Sequence, residues 1–111
     1  MNIKDKLEFL IRETVLDFVK GDFIKIKTKL IEEITIDDIK EELNHWGTLT
    51  YPPDEAYEKI NYIEYNDGSG YAMEFELWFD NQLSDLTLSC EAIIDQEERV
   101  LSFTIENLHV L

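Results

Sequence analysis

Apolar residues at the start of the chain recur every three or four positions. Ile3, Leu7, Leu10, Ile11, Thr14, Val15 and Phe18 form one stripe of a helical wheel, with Lys4, Glu8, Arg12 and Asp17 elsewhere on it. Phe9, Leu16 and Val19 widen the stripe, which implies contacts on more than one side. Lys20 and Gly21 make a fitting end, since glycine accepts the left-handed cap conformation and the cation suits the helix dipole. The pattern predicts a helix over about 4–20.

The next stretch reads two ways. Phe23, Ile26, Leu30, Ile31 and Ile34 fit a helix capped by Asp22, whereas Phe23 to Lys27 also alternates like a strand. The length of 22–34 favours the helix. Thr35 followed three residues on by Asp38 resembles a capping box, with Asp in place of the usual Glu. Ile36, Ile39, Leu43 and Trp46 then mark a short helix closed by Gly47. Tyr51-Pro52-Pro53-Asp54 reads as a rigid loop, because two prolines exclude regular structure. Glu55–Lys59 adds a helical turn.

Beyond that point the period changes to two. Ile60–Tyr65 is a first predicted strand, and Asn66-Asp67-Gly68-Ser69-Gly70 is a turn by composition. Tyr71, Met73, Phe75, Leu77 and Phe79 alternate with Ala72, Glu74, Glu76, Trp78 and Asp80. Leu86, Leu88, Cys90, Ala92 and Ile94 alternate with Thr87, Ser89, Glu91 and Ile93, and Leu101, Phe103 and Ile105 with Ser102, Thr104 and Glu106. Strands with one greasy and one polar face pack their dry side on helices. The expectation is a single α+β domain over 1–111, with N-terminal helices packed on a curved antiparallel sheet of about four strands. That order of elements looks like cystatin-like and nuclear-transport-factor-two-like cones, an analogy of architecture that assigns no function.

Composition narrows the class. The chain has 111 residues, 44% of them hydrophobic, enough for one core. No apolar run approaches the roughly 20 residues of a membrane span, and the start of the chain does not resemble a secretory leader. The single cysteine, Cys90, forms no internal disulfide, so a cytoplasmic location is expected.

Charge changes the picture more. Net charge is −15, unevenly spread. Residues 1–31 hold seven Lys/Arg against five Asp/Glu; 32–59 hold two against nine; 60–111 hold only Arg99 against eleven acids. Such a surface repels nucleic acid and anionic membranes, whose binding depends on Lys and Arg neutralising phosphates. It attracts a basic protein and speeds the encounter, although acidity also serves plain solubility.

The polar face of the sheet carries the candidate site. Pairing Phe79 with Leu86 sets Trp78 opposite Thr87, Glu76 opposite Ser89 and Glu74 opposite Glu91. Pairing Ile94 with Arg99 sets Glu91 opposite Ser102. Trp78 then stands among Glu74, Glu76 and Glu91, with Glu106 at the margin. An exposed tryptophan ringed by carboxylates is a plausible anchor for a basic partner; the bland counterpart is a covered indole beside solvated glutamates. Catalysis by Glu74 and Glu91 would need a cleft that desolvates one of them, which an open sheet face does not supply.

Other candidates resolve to structure. Cys90 has no basic neighbour to lower its pKa and reads as a core thiol. His45 and His109 sit in no metal-ligating spacing, and no metal or other cofactor is expected. The glycine turn lacks the carboxylates of a calcium loop. Adjacent Ser84 and Asp85 point to opposite sides of a strand and cannot both serve one histidine, which excludes a triad with His109. Asp85 accepting a hydrogen bond from His109 is expected as a structural pair.

Leu77-Trp78, Ser84-Asp85-Leu86-Thr87-Leu88 and the closing His109-Val110-Leu111 resemble a family of small bacterial proteins of uncharacterised function. A looser likeness, carried by size, charge and architecture, is to immunity proteins that neutralise basic nuclease toxins. The resemblance implies no catalytic residues. The expected function is a non-catalytic protein-binding domain, immunity-like in type. The alternatives are a cone-fold binder or enzyme with an apolar pocket between helices and sheet, and a module that dimerises through the sheet.

Overall fold

The computed structural model describes residues 1–111. Helix α1 (Ile3–Lys20) begins where Asn2 Oδ1 accepts the Asp5 amide at 2.9 Å, and ends at Gly21 with φ 71°. Ile3, Leu7, Ile11, Val15 and Phe18 are buried along one line of this helix, as the spacing predicts. Phe9 (57% exposed) and Leu16 (37%) are not in the core. They border a surface groove with Tyr51 and Pro52, whereas Val19, the third residue of the widened stripe, is partly buried against the core.

Helix α2 is only Phe23–Lys27, which corrects the long helix expected over 22–34. Thr28 Oγ1 donates to the Lys25 carbonyl at 2.6 Å, and the chain then leaves helical geometry. The main chain of 29–31 instead serves the sheet: Lys29 O accepts from Ile105 N at 2.7 Å, and Ile31 N donates to Ile105 O at 3.3 Å. Tertiary pairing overrides local propensity here. Helix α3 (Ile36–Asn44) starts with the expected capping box, Asp38 N to Thr35 Oγ1 at 3.1 Å and Thr35 N to Asp38 Oδ2 at 3.2 Å.

The sheet has five antiparallel strands: β1 (Leu49–Thr50), β2 (Asn61–Glu64), β3 (Gly70–Phe79), β4 (Gln82–Ile94) and β5 (Val100–Val110). β3, β4 and β5 form a meander. β1 and β2 both pair with the outer edge of β3, at its two ends, and the 3₁₀ segment Asp54–Lys59 spans the gap between them. The sheet is therefore one strand larger than expected, the extra strand being two residues long. All helices pack on one face, where Leu7, Ile11, Ile26, Met73, Leu77, Leu86, Leu88 and Ile105 are fully buried. Tyr57 of the 3₁₀ segment stacks on Phe75 with ring centroids 4.9 Å apart. Lys29 lies between Glu13 (3.4 Å) and the buried Asp17 (3.9 Å), which ties 29–31 to α1.

Both hairpin registers differ from the expected ones. Asp80 and Asn81 form a two-residue turn with φ of 51° and 61°, so Phe79 pairs with Gln82, not Leu86. Positive φ at both positions matches the right-handed twist of the flanking strands. A bulge follows, in which Leu77 faces Ser84 to Leu86. Ser84 Oγ donates to the Leu77 carbonyl at 2.6 Å and accepts from Leu86 N at 3.2 Å, standing in for the interrupted ladder. In the second hairpin Ile94 pairs with Val100, Ile93 with Ser102, and Glu91 with Thr104 instead of Ser102. Leu101 is the bulged residue, which leaves it exposed although its alternation placed it on the dry face.

Candidate functional site

Strand alternation and the observed registers define the outer face of the sheet row by row. Thr50, Trp78 and Leu83 share the first row, and Glu76, Thr87 and His109 the second. Asn61, Glu74, Ser89 and Asn107 form the third, and Ile63, Ala72, Glu91 and Thr104 the fourth. Every charged side chain projecting from these strand rows is a carboxylate. The two-residue shift in register has a consequence for them: Glu74 faces Ser89 and Asn61, and Glu76 faces Thr87, so no carboxylate stands directly opposite another. Like charges directly across a strand pair are destabilising, and the alternation avoids that cost.

The expected cluster around Trp78 therefore divides. Glu76 and Glu74 follow Trp78 along β3 on its own face. Glu91 lies opposite Ala72, six residues from Trp78 along the strand, about 20 Å at the usual rise. It belongs to a second group, in which Tyr65 Oη donates to Glu91 Oε2 at 2.6 Å and Thr104 Oγ1 donates to Glu106 at 2.7 Å. The hydrogen bond to Glu91, aided by burial and by the charges of Glu91 and Glu106, pushes the Tyr65 phenol up to about 12. Asn61 Nδ2 donates to Glu74 Oε1 at 2.8 Å, holding that carboxylate on the face.

The Asp85–His109 pair is not formed. His109 lies opposite Thr87, and its Nε2 meets Ser89 Oγ at 3.0 Å. Asp85 is exposed in the bulge, its carboxylate without a partner. Asp85 lies in the bulge beyond the last residue of β4 paired with β5, in a groove with Glu74, Glu76 and Thr87, while the His109 ring is taken by Ser89. Cys90 is buried on the dry face, where desolvation pushes its thiol well above the ordinary range. No three His, Cys, Asp or Glu side chains converge in a metal-ligating group.

One feature of this face is invisible to pattern reading. Trp78 is half-buried, and its Nε1 atom is fully buried with no acceptor in the protein. Beside it a cleft of about 270 Å³ opens between β3 and the 3₁₀ segment. Its lining includes Ala56 and Leu83, residues 27 positions apart that meet only because β1 and β2 leave the middle of the β3 edge unpaired. The sequence signal was confined to two prolines ahead of a short acidic turn.

A family model matches residues 15–111, from the middle of α1 through the last strand, and its description is domain of unknown function (DUF7668). The chain belongs to that family. No curated protein and no solved structure matches it. No helix is long and apolar enough to cross a membrane.

Proposed function

We propose that the domain is a non-catalytic binding module that captures a basic protein on the outer face of its sheet, as an immunity-like inhibitor of a basic toxin would. The observation that carries this reading is the charge of that face. Glu74, Glu76 and Glu91 project from the strands with no cation in their rows, and Glu106 joins them on β5. Eight of the ten Lys and Arg residues lie at positions 1–40, in the helical part. A predominantly anionic, mostly hydrophilic face, with Lys59 the cation at its edge, steers an oppositely charged partner and disfavours nucleic acid and anionic lipid.

The order of helices leading into a meander also supports reading the scaffold as a cystatin-like or nuclear-transport-factor-two-like cone. The small-molecule alternative that goes with such a scaffold requires space between helices and sheet. Under α1 that space is filled by Leu7, Ile11, Met73, Leu77 and Leu88. The open groove of about 340 Å³ between α3 and β5 is lined mostly by polar residues, among them Asp38, Glu41, Glu42 and His45, which favours the protein-binding reading.

The test compares two triple variants of equal net charge, using cytochrome c as a basic probe. One reverses Glu74, Glu76 and Glu91 to Lys; the other reverses Glu32, Glu33 and Glu41 in the helical part. Binding that falls at least about fivefold further in the first than in the second, and that weakens with salt, supports the face. Equal losses in both would show that only net charge matters and would reject it.

A further inference from the structure

The cleft beside Trp78 has a composition of its own. Ala56, Phe75, Trp78 and Leu83 give it apolar walls, while Glu55, Glu58 and Glu76 supply carboxylates against a single cation, Lys59. Apolar walls with acids around them suit a long side chain that is aliphatic along its stem and cationic at its tip. We infer that the cleft is the seat of one arginine side chain of the partner; this rests on the basic-partner reading above and names the contact that anchors it.

Arginine fits better than lysine for two reasons. A guanidinium is planar and stacks on an indole face, and its fork of donors engages a carboxylate in two parallel bonds. A compact, strongly hydrated ammonium gains less from the same walls. Trp78 lines the cleft and is only half-buried, so part of its indole is open to a guanidinium. Tryptophan and arginine are also the residues most enriched where binding energy concentrates.

The probe is N-acetyl-argininamide, titrated into the full-length 15N-labelled protein beside its citrulline and lysine counterparts. Two indole signals report. Trp46 Nε1 donates to Glu42 at 3.2 Å, away from the cleft, and serves as the internal reference. The expected result is a saturable shift of the Trp78 indole signal with the Trp46 signal fixed. Affinity should be about tenfold weaker for neutral citrulline and about threefold weaker for lysine. Ala56→Leu fills the cleft without changing charge and should abolish the shift. Leu83→Ala, at a site 54% exposed and so harmless to folding, should weaken it about threefold. Lys59→Gln should strengthen it. A citrulline response equal to that of arginine, no saturable shift at Trp78, or a response indifferent to Leu83→Ala would overturn the assignment.

Cytochrome c binding to the same samples separates this failure from that of the wider reading. If the arginine probe fails while cytochrome c still distinguishes the two charge-reversal variants, the cleft is refuted and the face stands. If the arginine probe seats while cytochrome c does not distinguish them, the basic-partner reading fails and the cleft is no partner anchor.

Discussion

Replacing Ser84 by alanine tests the physical account of the β3–β4 hairpin. One hydroxyl serves two main-chain groups there, donating to the Leu77 carbonyl at 2.6 Å and accepting from Leu86 N at 3.2 Å. Both groups sit in a part-buried bulge where the ladder between Glu76–Thr87 and Trp78–Leu83 is broken. Each such hydrogen bond is worth about 1 kcal/mol net, and more when its loss strands a buried partner, so Ser84→Ala should cost about 2–3 kcal/mol. Unfolding entropy of about 2.1 cal/mol/K per residue over 111 residues converts this into a fall in Tm of about 9–13 °C. Calorimetric melts at pH 7 measure it, and the Leu86 amide should exchange faster with deuterium in the variant. Asp85→Ala is the control: its carboxylate is exposed and unpartnered, so Tm should move by about 1 °C or less. A Ser84→Ala midpoint within about 2 °C of the parent, or an equal fall in Asp85→Ala, would refute the bulge as the source of the register.

Tyr65 should ionise near pH 12, and Glu91→Gln should bring it down, as read from tyrosinate absorbance. Because the folded pKa lies above the unfolded value near 10, the unfolded chain releases this proton first; the contribution is intact below pH 10 and lost as pH rises toward 12. Cys90 should resist a thiol reagent such as dithionitrobenzoate in the folded protein and react once in denaturant, since it is 1% exposed. Gly70→Ala places a Cβ against the Ala92 carbonyl oxygen and should destabilise by about 1–3 kcal/mol in urea unfolding. Lys29→Met strands the buried Asp17 carboxylate and should cost about 2 kcal/mol, with Asp17→Asn in the same background restoring part of it.

Elements that declare themselves through periodicity were legible. The stripe of α1, the Thr35–Asp38 cap and the alternation of β3 each rest on residues close in sequence, so local physics decides them. The registers were not legible. Asp80-Asn81 lacks the glycine that usually marks a two-residue hairpin, yet both residues tolerate the left-handed region, and the turn closed four residues earlier than pairing Leu86 required. The bulges at Ser84–Leu86, Leu101 and Glu106 then moved partners without disturbing the hydrophobic count on the dry face. For the candidate site this meant that the acidic face was foreseen but its neighbours were not. Glu91 joined Tyr65, His109 joined Ser89, and Trp78 found Leu83 and the 3₁₀ segment.

The clasp of 29–31 on Ile105 bears on solubility. It breaks the eleven-residue margin of β5 into two short lengths, while β1 and β2 occupy both ends of the opposite margin. A stray strand is offered no long run of free amides and carbonyls on either side, which disfavours edge-to-edge pairing between molecules. Ionic strength that masks the repulsion between these anionic molecules leaves that steric and hydrogen-bonded barrier in place.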